Sequence, residues 1–438
     1  MVGNPILWLA GAFVSMLVLI FVEVPIGIAM AIVGVIGVAL LIGLDPALTL
    51  LAVEPVSAVN SAELATIPMF LLMGNLATSA GISGDIFRVA QAFLGHRRGG
   101  MAMATVLGCA GYGAICGSSA ATTAAMTRIA LPEMESRRYG GGFAAATIAT
   151  GGGLGMLIPP SIIMVLYAVL TEQFVLQLFA AAIVPGLLSV SLYLIAITYI
   201  ARRDPENAPP TDRAVWAERW RVTLQGWRAY VTILLVVVGI YSGVFTVLEA
   251  AAVGVFVTGT FWIFSPARGW TELKSLVLEA ASLTGMMVTM VIGASAMGYL
   301  LTLTNAPLQI VGAVENMGLS PLMVLILLLV MYILLGMVFD SIAALVLTTP
   351  FVFPLVVSLG YDPVWWGIIN VMIIEIALVT PPVGMNVFIV QALAPHLKLG
   401  MIFRALGPFI VANIVWLALM IAFPIIAMWL PGVIASSY

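Results

Sequence analysis

The chain is 438 residues long, 63% of them hydrophobic and 8% charged, with a formal net charge of −3. An average globular domain carries about a quarter charged residues, so this composition excludes a water-clad enzyme or binding module and leaves a surface that faces the lipid bilayer. The small net charge points to no nucleic acid or other strongly charged partner.

In chain order, apolar stretches of roughly 17–25 residues, each long enough to cross a hydrocarbon core about 30 Å thick, recur from end to end. The first, residues 5–22, has no Lys or Arg ahead of it, unlike a cleavable signal peptide, and reads as a retained span. With the rest of 1–86 it is expected to form scaffold spans and a connector. Of the basic residues only Arg128 falls inside an apolar stretch; the others sit in short loops. The positive-inside rule places those loops in the cytoplasm and both termini on the periplasmic side.

Residues 99–132 therefore enter and leave the membrane on one side, because basic clusters flank both ends. Their middle, from Gly111 to Thr123, is rich in small and hydroxyl residues, which suits a turn packed inside protein. This predicts a re-entrant hairpin with its tip at Gly117, Ser118 and Ser119. Farther on, two successive prolines, Pro159 and Pro160, remove donors and clash with the preceding turn, so a helix should break around 153–161. Residues 201–228 carry several arginines with Trp216, Trp220 and Trp227, and read as an amphipathic interfacial helix. Central scaffold spans follow over 229–305. A second hairpin is expected over 321–357, bounded by Glu315-Asn316 and Tyr361-Asp362 with no basic residue at either end. A second break is expected around 375–386.

An offset of 222 positions brings Ser119 onto Ser341, Pro132 onto Pro354, and Pro159-Pro160 onto Pro381-Pro382. Regions 87–200 and 306–438 thus read as two copies. Only the first copy's hairpin is flanked by basic residues, so the copies are inverted. Inverted repeats with paired broken helices point to a secondary transporter's binding site. Unwound carbonyls there coordinate a cation such as Na⁺, and half-helix N-termini face an anionic substrate.

The residues that carry this pattern also resemble a family. The tip Gly117-Ser-Ser-Ala-Ala121, the block Gly153-Leu-Gly-Met-Leu-Ile-Pro-Pro-Ser161, Phe339-Asp340-Ser341, and Thr380-Pro-Pro-Val-Gly384 with Asn386 are similar to the large membrane subunit of the tripartite ATP-independent periplasmic (TRAP) transporters. The resemblance covers nearly the whole chain. It implies an all-α, inverted-repeat, elevator-type transporter of the bacterial inner membrane, with about ten transmembrane helices, two re-entrant hairpins and two broken helices. It further implies Na⁺-coupled import of an organic acid of the C4-dicarboxylate, keto acid or sialic acid class, with more than one Na⁺. The implied partners are a small four-helix membrane subunit and a periplasmic solute-binding protein. No Gly-Lys-Ser/Thr phosphate loop is present, so ATP is not expected to drive it. A self-sufficient Na⁺- or H⁺-coupled carboxylate carrier of the same superfamily is the alternative. An intramembrane enzyme is disfavoured, because the chain offers no His-Glu-x-x-His metal site and no Ser with a basic partner nearby.

The candidate cavity residues are Ser118, Ser119, Thr122, Thr123, Pro159, Pro160, Ser161, Thr380, Pro381, Pro382 and Asn386. The candidate Na⁺ ligands are Gly117, Ser118, Ser119, Gly155, Asp340, Ser341, Thr380 and Gly384. Each has a structural competitor. Hydroxyls in membrane helices often bond to a carbonyl one turn back, and Asp340 stands where a residue caps the following half-helix. Glu375 reads equally as a functional carboxylate and as a hydrogen-bonding partner, and Arg128 is the visible counter-charge for an acid substrate.

Overall fold

The computed structural model describes residues 5–435 apart from 267, 306–308, 310 and 313–317, and the regular structure among them is helical throughout. The expected boundary at Glu315-Asn316 lies outside the described residues, as do both chain ends.

Both hairpins form where local chemistry demands. The first has arms Gly100–Cys116 and Ser119–Ser136, the second Pro321–Gly336 and Ser341–Ser358. Each is followed by a broken helix. Gly141–Leu157 and Ile162–Thr171 are bent by 44° across the first proline pair, and Pro363–Ala377 and Met385–Leu393 flank the second. The 222-residue offset carries Ser119–Ser136 onto Ser341–Ser358, and Gly141 onto Pro363, with no residual shift.

The same offset reaches back into the scaffold. It carries the start of Pro5–Phe21 onto that of Trp227–Tyr241, and Ile26–Ile42 to within one residue of Val247–Ile263. The pair Leu44–Asn60 and Ala62–Ser79, bent by 55°, corresponds to the single helix Trp270–Leu303. Packing is reciprocal: Ile26–Ile42 lies along Trp270–Leu303, and Val247–Ile263 lies along Ala62–Ser79. Each copy's second span packs on the other copy's third, as a pseudo-two-fold axis requires.

Glycines set the distance of that crossing, because helices in lipid associate by close packing of small residues. A Cβ on Gly293 would lie 2.1 Å from the Gly27 carbonyl oxygen, and one on Gly34 would lie 2.5 Å from the Ala296 backbone. The obstacle in both cases is backbone, which cannot rotate away. Gly293→Ala is therefore expected to turn the monodisperse size-exclusion peak of the detergent-solubilised chain into aggregate. Gly285→Ala on the same helix, with open space around it, is expected to leave the peak intact.

The linker differs from expectation. A single amphipathic helix over 201–228 does not form. Val175–Arg203 runs into its start, then Pro205, Pro209 and Pro210 deprive the chain of amide donors until Trp216–Gln225. The next span, Trp227–Tyr241, begins at a 52° bend from that short helix. Trp216, Trp220 and Trp227 are exposed, as anchors at a membrane interface are.

By length and composition, Val175–Arg203, Trp270–Leu303 and Ser341–Ser358 each suffice to cross a membrane. Among the described residues the bent pairs raise that number to as many as seven, and further apolar helices of 10–17 residues accompany them.

Candidate functional site

The first hairpin turns on Gly117, whose φ of +65° favours glycine. A Cβ there would also lie 2.8 Å from the Pro160 carbonyl oxygen. The Gly117 carbonyl accepts from Ile162 N at 3.3 Å, tying the tip to the helix that starts after the break. Ser118 Oγ caps the second arm by accepting from Ala121 N at 3.4 Å. At the break itself Pro159, Pro160 and Ser161 are buried, the Pro159-Pro160 peptide is cis, and the Ser161 hydroxyl donates to the Met156 carbonyl.

The second copy reaches into this junction through Asn386, which is 1% exposed at the start of Met385–Leu393. Its Nδ2 donates to Ser119 Oγ at 2.9 Å and to the Ala149 carbonyl at 3.1 Å. One side chain thus joins the first hairpin, the first broken helix and the second broken helix.

Thr122 and Thr123 are fully buried against glycines that leave no room for a side chain. A Cβ on Gly155 would lie 2.3 Å from Thr122 Oγ1 and 2.8 Å from the Ser118 carbonyl oxygen, and one on Gly152 would lie 1.9 Å from Thr123 Oγ1. Thr122 Oγ1 faces Cys116 Sγ at 3.9 Å, whereas Thr123 Oγ1 and Thr150 Oγ1 have no hydrogen-bond partner. Buried oxygens without a partner are costly. Thr150 was not singled out from the sequence.

The second copy's own candidates are arranged differently. Asp340 Oδ1 accepts from Ile342 N at 2.8 Å and Ala343 N at 2.9 Å, so the carboxylate caps the second arm as Ser118 caps the first. The Thr380 hydroxyl donates one turn back to the Ile376 carbonyl at 2.6 Å. Gly384, with φ +64°, is buried ahead of Asn386, and Ser341 is half-buried. Pro381 and Pro382, also joined by a cis peptide, are exposed where their first-copy counterparts are buried. Asp340→Ala is expected to cost about 1 kcal/mol in thermal unfolding through the lost cap. Asp340→Asn and Asp340→Ser are expected to stay within a few tenths of a kcal/mol of the native chain, since both cap well.

Glu375 marks the pseudo-two-fold crossing. The offset relates it to Gly153, and a Cβ on Gly153 would lie 2.4 Å from Glu375 Cγ. A side chain in one copy requires its absence in the other. Glu375 is 1% exposed, and its Oε1 lies 3.2 Å from the Tyr193 hydroxyl, which lies 2.6 Å from Asn413 Oδ1. Sequence reading missed Tyr193 and Asn413; the lone polar Asn413 inside the apolar helix Gly407–Ala422 was the available signal.

A cavity of about 810 Å³ opens between the second arm of the first hairpin and the scaffold helices Ala62–Ser79 and Trp270–Leu303. Thr78, Ala121, Arg128, Arg228 and Glu279 are among its lining residues. Arg128 is exposed within it, while Arg228 is held by Asp85 at 2.6 Å.

Residues 13–426 match the family described as Tripartite ATP-independent periplasmic transporter, DctM component. The chain is 36% identical over 410 residues to the C4-dicarboxylate TRAP transporter large permease protein DctM of Pseudomonas aeruginosa, covering 90% of this chain and 95% of that one. It is 32% identical to the ectoine/5-hydroxyectoine TRAP transporter large permease protein UehC of Ruegeria pomeroyi, covering 96% and 98%. It is 31% identical to the isethionate TRAP transporter permease protein DctMQ of Oleidesulfovibrio alaskensis, covering 86% of this chain and 58% of that one. Among solved structures, the YdaH transporter of Alcanivorax borkumensis shares the fold, with a TM-score of 0.64 at 15% identity over 87% of this chain and 90% of that one. With hairpins, broken helices and sequence in agreement, the chain belongs to the DctM component family of the tripartite ATP-independent periplasmic transporters, as a multi-pass membrane permease subunit and not an enzyme.

Proposed function

We propose that the chain is the translocation subunit of a Na⁺-coupled importer for an organic acid in the bacterial inner membrane, working with a small membrane subunit and a periplasmic solute-binding protein. The observation that carries this reading is the junction at Asn386, whose amide ties Ser119 at the hairpin tip to the Ala149 carbonyl of the first broken helix, with the Thr123 hydroxyl unpaired one turn beyond Ser119. Gly117, Ser118, Ser119, Thr122, Thr123 and Gly155 would hold one Na⁺ there. Asp340, Ser341, Thr380 and Gly384 would hold a second. A bound ion supplies positive charge to an anionic substrate, together with the half-helix N-termini at Ile162 and Met385.

The seam between hairpin and scaffold supports an elevator. The two hairpins and two broken helices pack mainly on one another, and the scaffold is closed by its own glycine crossing. The 810 Å³ cavity lies along that seam on the side of Arg88, Arg128 and Arg228. The positive-inside rule makes this the cytoplasmic side, so the arrangement is inward-facing, with Arg128 guiding the released anion. Relatives named for C4-dicarboxylate, isethionate, 2,3-diketo-L-gulonate and sialic acid support an acid substrate. The longer DctMQ relative supports association with a small subunit.

The test is uptake of labelled organic acids into proteoliposomes that hold the chain and its small subunit. Uptake is expected to need both an inward Na⁺ gradient and the binding protein. Uptake that ignores the binding protein would instead establish the self-sufficient carrier.

A further inference from the structure

Where the linker helix Trp216–Gln225 packs on the helix Ile82–Leu94, an arginine is buried without a carboxylate. Arg219 is 5% exposed, and its Cζ lies 5.1 Å from the Trp216 ring centroid and 5.6 Å from that of Phe93. Its Nε and Nη2 have no hydrogen-bond partner. Among the described residues no acid pairs with it. Glu218 faces Arg221, and Asp85 is shared by Arg88 and Arg228. Rings on both sides stabilise the charge, yet idle guanidinium donors in a buried setting remain costly.

More donors and positive charge converge on the same place. The linker returns along the hairpin's entry loop, with Thr211 N donating to the Gly95 carbonyl at 3.1 Å and Gly99 N to the Ala208 carbonyl at 3.0 Å. Between these bonds sits His96, whose Nδ1 is buried. Desolvation, and then the charges of Arg213, Arg219 and Arg97, hold its imidazole below the ordinary value, against a hydrogen bond to the Phe93 backbone that raises it. Beside the cluster an apolar slot of about 380 Å³ runs between Val89, Phe93 and Gly111 on one side and Tyr230 and Ile233 on the other. Phe93 belongs to both the slot and the Arg219 contact.

We propose that this junction binds an anionic phospholipid, with its phosphate on Arg219 and His96 and an acyl chain in the slot. The exposed Trp216, Trp220 and Trp227 put the linker helix at the depth where phosphates lie. Free phosphate shares the head-group chemistry but has nothing to fill the slot. A zwitterionic lipid brings its own cation against the arginines. The lipid seats between the helix that feeds the first hairpin and the scaffold span Trp227–Tyr241, at the joint that movement of the hairpin has to flex.

Native mass spectrometry of the delipidated full chain, titrated with dioleoylphosphatidylglycerol, dioleoylphosphatidylcholine or inorganic phosphate, tests this. The glycerol lipid is expected to bind about tenfold more tightly than either other probe, and to lose about tenfold in both Arg219→Gln and Ala90→Phe, the second of which fills the slot. Phosphate competing as well as the lipid would reduce the site to an anion pocket and overturn the proposal. Equal binding of the two lipids, or binding untouched by Arg219→Gln, would overturn it too. If Arg219→Gln fails to fold, Ala90→Phe and the probe comparison on the native chain decide the matter.

Discussion

Gly155→Ala is expected to reduce uptake about 100-fold while the chain still reaches the membrane. The added methyl would stand 2.3 Å from Thr122 Oγ1 and 2.8 Å from the Ser118 carbonyl oxygen. The hydroxyl can turn away, but the carbonyl belongs to the hairpin tip and moves only if the tip moves. Overpacking of this kind costs roughly 1–3 kcal/mol, and the upper end corresponds to about two decades in an equilibrium constant. The cost falls on the joint between tip and break, so transport is expected to suffer more than folding. Gly108→Ala in the first hairpin, where the new methyl meets only ordinary contacts from 3.5 Å outward, is expected to transport normally. The check is initial uptake rate against membrane abundance for both variants. Near-native uptake by Gly155→Ala would show that tip and break need not approach this closely.

Asn386→Ala is the second large expected effect. It leaves Ser119 Oγ and the Ala149 carbonyl without the amide that now serves both. A buried polar group deprived of its partner costs about 1–3 kcal/mol. The Na⁺ concentration for half-maximal uptake is therefore expected to rise about tenfold or more. Ser119→Ala removes only one of the two contacts and is expected to cost less. Because the residues touch, the double variant is expected to fall short of the sum of the singles by about 0.5–3 kcal/mol. Additive effects on Na⁺ dependence would mean that this hydrogen bond has no part in ion binding.

What the sequence makes legible is local and chemical. Paired prolines break helices wherever they stand, and a tip of glycine and serine ends one helix and caps the next. The hairpins and breaks therefore fall close to where the residues place them, and the 222-residue offset relates them. The same locality explains the linker, where Pro205, Pro209 and Pro210 outweigh the amphipathic pattern of 201–228.

Partnerships across the chain are not legible in this way. Nothing near Asn386 announces Ser119, 267 positions away, and nothing near Glu375 announces Tyr193 or Asn413. Scaffold pairing is hidden as well, because Gly27, Gly34 and Gly293 look like any small residues in an apolar segment until their helices cross. Asp340 shows a different limit. A carboxylate at a hairpin tip reads as ligand or cap from sequence alone, and the geometry shows one of its oxygens, Oδ1, capping the second arm.

The central claim is that the junction of the first hairpin tip, the first break and Asn386 binds Na⁺. The most direct test is the thermal unfolding of the purified chain in NaCl against equal concentrations of KCl and choline chloride. Native chain is expected to unfold at a higher temperature in Na⁺ alone, with a stabilisation of about 2.7 kcal/mol at 100 times the dissociation constant. The gain is expected to shrink in Asn386→Ala and Gly155→Ala. Identical midpoints in the three salts, or a Na⁺ gain that survives both substitutions, would contradict the claim.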